Sequence, residues 1–167
     1  MDINKEQILV VDDEEDLRKA IVDILTLDGF EVDQAGSAEE AAEKLSQTAY
    51  DVLITDHNLP QKTGVELLEE SLVRYPEIIG IVITGYGTVE TAVTAIKKGA
   101  YNYLTKPFKL AQIEIIAYRI LEYLNLLDDN KRLTARLALL TDKSTTIDSR
   151  LERIESLLSS LVANVPT

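Results

Sequence analysis

Short apolar runs alternate with amphipathic stretches through the first two thirds of the 167-residue chain. The first run covers residues 7–11, and over 14–28 the apolar positions recur with the spacing of one helix face. This unit, a strand followed by a helix, repeats along the chain, and the pattern predicts further strands at 30–35, 51–55, 78–83 and 101–104.

Capping residues mark the ends of the intervening helices. Ser37, with Glu40 three residues later, predicts a capping box and a helix to about residue 47. Gly99 is placed to end a helix that begins near residue 89. Strands that are apolar on both faces and separated by helices imply a parallel sheet covered on both sides. We therefore predict an α/β fold, a doubly wound sheet of five parallel strands.

Polar residues stand at the carboxyl ends of four predicted strands. Asp12 and Asp13 follow the first strand and Asp56 the third. Thr84 follows the fourth strand and Lys106 the fifth. Ligands of doubly wound sheets bind at this edge. Carboxylates placed close together repel one another unless a cation joins them, and oxygen ligands suit Mg²⁺.

This set of residues predicts phosphoryl chemistry. An aspartate carboxylate can attack a phosphoryl group as a nucleophile, and the charge on the transferring group needs cationic and hydrogen-bonding partners. Mg²⁺, the Lys106 ammonium and the Thr84 hydroxyl would provide them. Asp56 follows the middle strand and is the predicted nucleophile, with Asp12 and Asp13 holding the metal. A single acid at a strand end is more often a turn former or a helix cap.

Composition excludes several classes of function. The chain has no cysteine and one histidine, His57, which excludes disulfides, thiolate zinc sites and multi-histidine metal sites. Residues 1–108 carry 21 acidic and 9 basic side chains, so the net charge of −12 lies there, and 109–167 are balanced. Neither part has a basic patch for DNA, so direct DNA binding is not expected. The sequence has no run of about 18 apolar residues, the length that a membrane-spanning helix needs. We therefore expect a cytoplasmic protein with no membrane partner.

The motifs, taken in order, resemble the receiver domain of two-component response regulators over residues 5–125. The residues that carry the resemblance are Asp12-Asp13, Asp56 before Asn58-Leu59-Pro60, Gly64, Thr84-Gly85 and Lys106-Pro107-Phe108. Residues 83–93 are most similar to nitrogen-regulation-type receivers, which usually precede an ATPase module and a DNA-binding domain.

The resemblance implies a flavodoxin-like fold of strand order 2-1-3-4-5 and phosphorylation of Asp56 by a sensor histidine kinase. It implies a phosphoacceptor, not an enzyme with a substrate of its own, that assists its Mg²⁺-dependent phosphorylation and dephosphorylation. Mg²⁺, or Mn²⁺ in its place, would be held by Asp13, Asp56 and the backbone carbonyl of Asn58, with Asp12 acting mainly through bound water. The other implied roles are phosphoryl contacts from Thr84 and Lys106, a switch formed by Thr84 and Tyr103, and a cis peptide bond before Pro107.

The segment 126–165 departs from the receiver family. Its apolar residues recur in alternating steps of three and four, which predicts a coiled coil for association and output. The a positions are Asn130, Leu137, Ser144, Leu151, Leu158 and Val165, and the d positions are Leu126, Leu133, Leu140, Ile147, Ile154 and Leu161.

The number of chains in this coil is indicated by two opposed signals. Asn at an a position favours a parallel dimer, whereas Leu at a with Ile at d favours higher orders. In a parallel pair Lys143 faces Asp148 and Arg150 faces Glu155, so we favour a parallel dimer with a tetramer as the alternative. The poor helix propensity of 141–146 leaves open a hinge or an antiparallel hairpin.

We therefore predict a response regulator that signals through phosphorylation-dependent protein contact and oligomerisation, with an unidentified downstream protein. Two alternatives stay open: a receiver-plus-linker piece of an enhancer-binding transcription activator, and a constitutive oligomeric scaffold with a vestigial phosphorylation site.

Overall fold

The computed structural model describes residues 6–163, and side chains up to residue 160. In this part of the chain five strands alternate with five helices. The strands are β1 (Gln7–Val11), β2 (Glu31–Ala35), β3 (Val52–Asp56), β4 (Ile79–Thr84) and β5 (Ala100–Thr105). The helices are α1 (Glu15–Leu27), α2 (Ala38–Gln47), α3 (Gly64–Arg74), α4 (Val89–Lys97) and α5 (Leu110–Ala163).

All neighbouring strands pair in parallel, in the order β2-β1-β3-β4-β5. Every residue of β3 and β4 is buried, as expected for strands covered on both faces. The predicted doubly wound, flavodoxin-like sheet is confirmed, and each predicted strand end lies within one residue of the observed one. The sheet order places β3 at the centre, so the carboxyl end of β3 meets the ends of β1 and β4.

The start of α2 differs in one detail from the predicted capping box. The Ser37 hydroxyl accepts a hydrogen bond from the Glu40 amide at 3.2 Å, as the motif requires. The Glu40 carboxylate, however, accepts from the amide of Gly36 at 2.8 Å and not from that of Ser37. A complete capping box is found instead at α3, between Thr63 and Glu66.

Gly64 allows α3 to begin directly against the end of β3. Its amide donates to the carbonyl of His57 at 2.9 Å. A Cβ atom at this position would lie 2.1 Å from the Asp56 carbonyl oxygen and 2.8 Å from the Thr55 hydroxyl. The absence of a side chain therefore fixes how closely the loop after β3 folds back beside Asp56.

The described residues divide into two compact units, one up to residue 121 and one from residue 122 onward. Helix α5 is unbroken through 141–146, so the hinge and the hairpin considered for this segment are wrong. The hydroxyls of Thr141, Thr145 and Thr146 each donate to the carbonyl four residues earlier, which satisfies these polar groups within the helix. Within residues 6–163, no helix has the length and apolar character needed to cross a membrane.

The predicted heptad seam is exposed in the single chain. Its apolar side chains from Leu126 to Leu158 are 52–64% exposed. The side chain of Leu161 and the last predicted seam position, Val165, lie outside the described residues. The coiled coil over 126–165 stays a prediction.

Candidate functional site

Three carboxylates converge at the carboxyl edge of the sheet. Asp12 and Asp13 follow β1, Asp56 ends β3, and these two strands are neighbours. One carboxylate oxygen from each residue lies within 4.8 Å of the others. Asp12 and Asp56 are buried and Asp13 is exposed, so the cluster opens to solvent on one side. This is the arrangement predicted from the strand-end motif.

Lys106 enters this cluster from the loop after β5. Its ammonium lies 3.2 Å from Asp12 Oδ2 and 3.3 Å from Asp56 Oδ1. The shortest of its contacts, 2.9 Å, is to Glu14 Oε1. The backbone amide of Lys106 donates to the carbonyl of Thr84 at 2.7 Å, which anchors the loop to the end of β4. One cation is therefore shared by three carboxylates.

The electrostatics of the site follow from burial and from this shared cation. Burial raises the pKa of Asp12, and the hydrogen bond from the Glu14 amide and the Lys106 ammonium only partly oppose that rise. Burial alone would lower the pKa of Lys106, but the hydrogen bond to Glu14 and the charges of Asp12 and Asp56 outweigh it, so the pKa is raised. Lys106 is therefore a permanent cation at neutral pH.

The two oxygens of Asp56 differ in their surroundings. Oδ2 accepts a hydrogen bond from the Asn58 amide at 3.0 Å. Oδ1 is buried and, within the described part of the chain, makes no hydrogen bond, since Lys106 at 3.3 Å is an ion pair without hydrogen-bond geometry. A buried, incompletely satisfied oxygen beside two further carboxylates fits a hard divalent cation with oxygen ligands. The acidic cluster can thus bind Mg²⁺.

The hydroxyls of the two predicted switch residues, Thr84 and Tyr103, make hydrogen bonds outside the carboxylate cluster. Thr84 ends β4 and is fully buried, and its hydroxyl accepts from the Tyr86 amide at 3.2 Å. Tyr103 packs against the hydrophobic core, and its hydroxyl lies 3.0 Å from that of Thr91. Thr91 also belongs to the capping box of α4, with Thr88. The hydroxyl of Tyr103 is therefore tied to the first turn of α4.

The peptide bond between Lys106 and Pro107 is cis, the geometry that the resemblance implies. Two site residues were not found from the sequence. Glu14 contacts Lys106, and Arg18 donates to the carbonyl of Asp12 at 2.6 Å and to the Gln34 side chain at 3.0 Å. The position of Glu14, directly after the acidic pair, was a usable signal, whereas nothing in the local sequence distinguishes Arg18 from other helix-surface arginines.

Comparison with known proteins places this geometry in a family. The sequence model of the family described as response regulator receiver domain matches residues 8–117. The chain belongs to this family. Receiver proteins of the nitrogen-regulation type are among the relatives, as predicted. A putative NtrX-like response regulator of Rickettsia bellii is 39% identical over 125 residues, which are 74% of this chain and 26% of that protein.

Two further comparisons differ in how much of the other protein the receiver chain covers. The transcriptional regulatory protein FixJ of Rhizobium meliloti is 37% identical over 161 residues, covering 94% of this chain and 74% of FixJ. The crystal structure of NtrX from Brucella abortus superposes with a TM-score of 0.71 at 36% identity, covering 77% of this chain and 29% of that one. The chain therefore spans only about a quarter of the NtrX-like relatives.

Proposed function

We propose that Asp56 accepts a phosphoryl group from a sensor histidine kinase in two-component signalling. The observation that carries this proposal is the buried Oδ1 of Asp56, set 3.3 Å from the Lys106 ammonium in a cluster of three carboxylates. A carboxylate oxygen of Asp56 attacks phosphorus, the P–N bond to the kinase histidine breaks, and an acyl phosphate forms on Asp56. The chain is then a phosphoacceptor that assists its own phosphorylation and dephosphorylation, without a substrate of its own.

The divalent cation, Mg²⁺ or Mn²⁺, would be held by Asp13, Asp56 and the backbone carbonyl of Asn58, with Asp12 acting through water. When bound, it neutralises charge on the phosphoryl oxygens. Asp12 and Lys106 would line the site around the cation. The Asp12 carboxylate is held in place by a hydrogen bond from the Glu14 amide at 2.8 Å. The exposed side of the cluster, at Asp13, leaves room for the phosphorylated histidine of the kinase.

Lys106 and Thr84 would contact the transferred group. The Lys106 ammonium already lies beside Asp56, so it can stabilise negative charge there without a large movement. The Thr84 hydroxyl accepts a hydrogen bond from the Tyr86 amide, which leaves its own O–H to donate to a phosphoryl oxygen. Tyr103 then leaves Thr91 and turns inward, which changes the surface formed by α4 and β5. Donation by Thr84 and the release of Tyr103 from Thr91 together form the proposed switch.

The proposed output is association of two chains through the heptad seam of 126–165. The g positions that carry charge in its central heptads are basic, Arg136, Lys143 and Arg150, while Asp148 and Glu155 at e are acidic. A parallel pair sets g against e, so opposite charges meet, whereas an antiparallel pair sets g against g and e against e. Charge therefore favours a second copy in parallel, and the polar a residue Asn130 favours two chains over four.

The downstream partner is proposed to be a protein, because residues 109–167 carry no net charge that would attract DNA. A second candidate is supported by the relatives: FixJ is named a transcriptional regulatory protein, and the chain spans about a quarter of the NtrX-like proteins. In that case the chain acts as the receiver and linker of a longer activator. The full reading frame distinguishes the two. A constitutive scaffold is the third reading, and it requires that Asp56→Asn leaves cellular output unchanged.

The phosphoacceptor is tested with a small phosphodonor such as acetyl phosphate, and with the phosphoryl mimic beryllofluoride, in Mg²⁺. We expect wild type to gain one phosphoryl group by intact mass and Asp56→Asn to gain none. Chelation of Mg²⁺ is expected to abolish the gain in wild type. Equal labelling of Asp56→Asn would overturn the assignment. Light scattering of the same samples reports whether the mimic changes the mass of the assembly.

A further inference from the structure

The first observation concerns the position of Glu14 at the start of α1. Glu14 is the N-cap residue of this helix, where a side-chain oxygen usually accepts a hydrogen bond from the first turn. Its side chain makes no such capping bond within the described part of the chain. The carboxylate is directed instead to the Lys106 ammonium, 92 residues away in sequence and 2.9 Å away in space. Capping of α1 therefore does not explain the position of this side chain.

The second observation is that the three carboxylates around Lys106 differ in exposure. The Glu14 side chain is 64% exposed, against 2% for Asp12 and 5% for Asp56. Separating Lys106 from Glu14 leaves the Glu14 charge in water, where it is well solvated. Separating Lys106 from either aspartate would leave a buried charge unpaired, which is far more costly. Glu14 is thus the carboxylate that Lys106 can leave most readily.

The third observation is that the backbone of Glu14 is fixed within the site. Its amide donates to Asp12 Oδ1 at 2.8 Å, so the Glu14 side chain starts from a defined point beside the carboxylate cluster. The Lys106 side chain is itself only 19% exposed. The ammonium therefore has few positions available, and in the one it takes it donates to Glu14 at 2.9 Å while lying 3.3 Å from Asp56 Oδ1 without hydrogen-bond geometry.

We propose that Glu14 is a positioning residue that holds Lys106 in the unphosphorylated protein and competes with the phosphoryl group for its ammonium. The proposal rests on the proposed role of Asp56. An acyl phosphate on Asp56 adds phosphoryl oxygens beside Lys106, and the ammonium moves from Glu14 to them. Glu14 then sets how strongly the site takes up a phosphoryl group, without touching that group.

The test is a titration of the full chain with beryllofluoride in Mg²⁺, for wild type, Glu14→Gln and Glu15→Gln. Glu15→Gln is the matched control: it removes the same charge one residue later, where the carboxylate pairs with Lys19 and does not contact Lys106. Because an exposed ion pair contributes little, we expect Glu14→Gln to bind the mimic about two- to fivefold more tightly. Glu15→Gln is expected to match wild type.

A spectroscopic readout distinguishes positioning of the Lys106 ammonium by Glu14 from simple repulsion between the Glu14 charge and the mimic. The Nζ resonance of Lys106, measured by NMR without beryllofluoride, is expected to shift in Glu14→Gln and not in Glu15→Gln. If both variants bind the mimic equally, or if Glu14→Gln binds it no more tightly than wild type, the role of Glu14 is wrong. If wild type itself takes up no mimic, the assignment of Asp56 fails instead, so the two failures are distinguishable.

Discussion

Asp12 shows how a functional site costs stability at the level of one residue. The carboxyl is buried and its pKa is raised, mainly by burial, in spite of the Glu14 amide and Lys106. The folded state therefore holds the Asp12 proton more tightly than the unfolded state, and folding is penalised at neutral pH. The penalty is absent below the ordinary pKa of 3.8 and is complete above the raised one.

We expect Asp12→Asn to raise the free energy of unfolding at pH 7 by on the order of 1 kcal/mol when no divalent cation is present. The gain should shrink as the pH falls toward 3.8. Urea unfolding with a chelator over this pH range measures it, and Asp23→Asn, at an exposed position of α1, is the control. A less stable Asp12→Asn would mean that the bonds to Lys106 and Glu14 outweigh the cost of burial.

At the scale of elements, the site depends on how closely α3 approaches β3. Any side chain at Gly64 would meet the Asp56 carbonyl oxygen at 2.1 Å, a backbone atom that cannot turn away. The start of α3 and the end of β3 would have to separate. Because the Asp56 amide plane would move with them, the position of its carboxylate is sensitive to this one contact.

We expect Gly64→Ala to lower the free energy of unfolding by roughly 1–3 kcal/mol, the usual cost of overpacking, and to weaken beryllofluoride binding. Gly85→Ala is the matched control, since a Cβ there meets nothing within 4 Å. It should change stability by less than about 0.5 kcal/mol. Chemical denaturation and titration with the mimic measure the two effects. Equal behaviour of the two variants would show that the loop after β3 relaxes freely.

At the scale of the whole molecule, the charge pattern of the seam predicts the orientation of the paired chains. Reversing the two basic g residues that face acidic e residues, with Lys143→Glu and Arg150→Glu, sets like charges together in a parallel pair. We expect the dissociation constant of the pair to rise on the order of tenfold, because a symmetric pair contains each of these contacts twice. Adding Asp148→Lys and Glu155→Lys should restore the original affinity, and analytical ultracentrifugation measures both.

Two outcomes would contradict this prediction. A wild-type chain that stays monomeric at every concentration would show that the seam binds something other than a second copy. A fourfold variant that associates no better than the twofold one would show that g and e do not face each other, and hence that the pair is not parallel.

Much of the fold was predictable because burial alternates with a fixed local period. Strands such as β3 and β4 are recognisable as continuous apolar runs, because both of their faces are buried. The helices are recognisable by apolar residues at the spacing of one helix face. β5 extends one residue beyond its predicted bounds at each end, and its burial is mixed along its length. The continuity of α5 was open, because the weak helix propensity of 141–146 is compatible both with a break and with a continuous helix.

The sequence by itself determined which residues stand at strand ends, and so that Asp12, Asp13, Asp56, Thr84 and Lys106 share one edge of a parallel sheet. Only the tertiary structure decided how they are paired there. That Lys106 contacts Glu14 most closely and that Tyr103 is tied to Thr91 depend on the packing of side chains from separate elements. Local periodicity fixes which face a residue occupies. Distances between residues far apart in sequence are fixed only when the sheet order and loop paths bring their elements together.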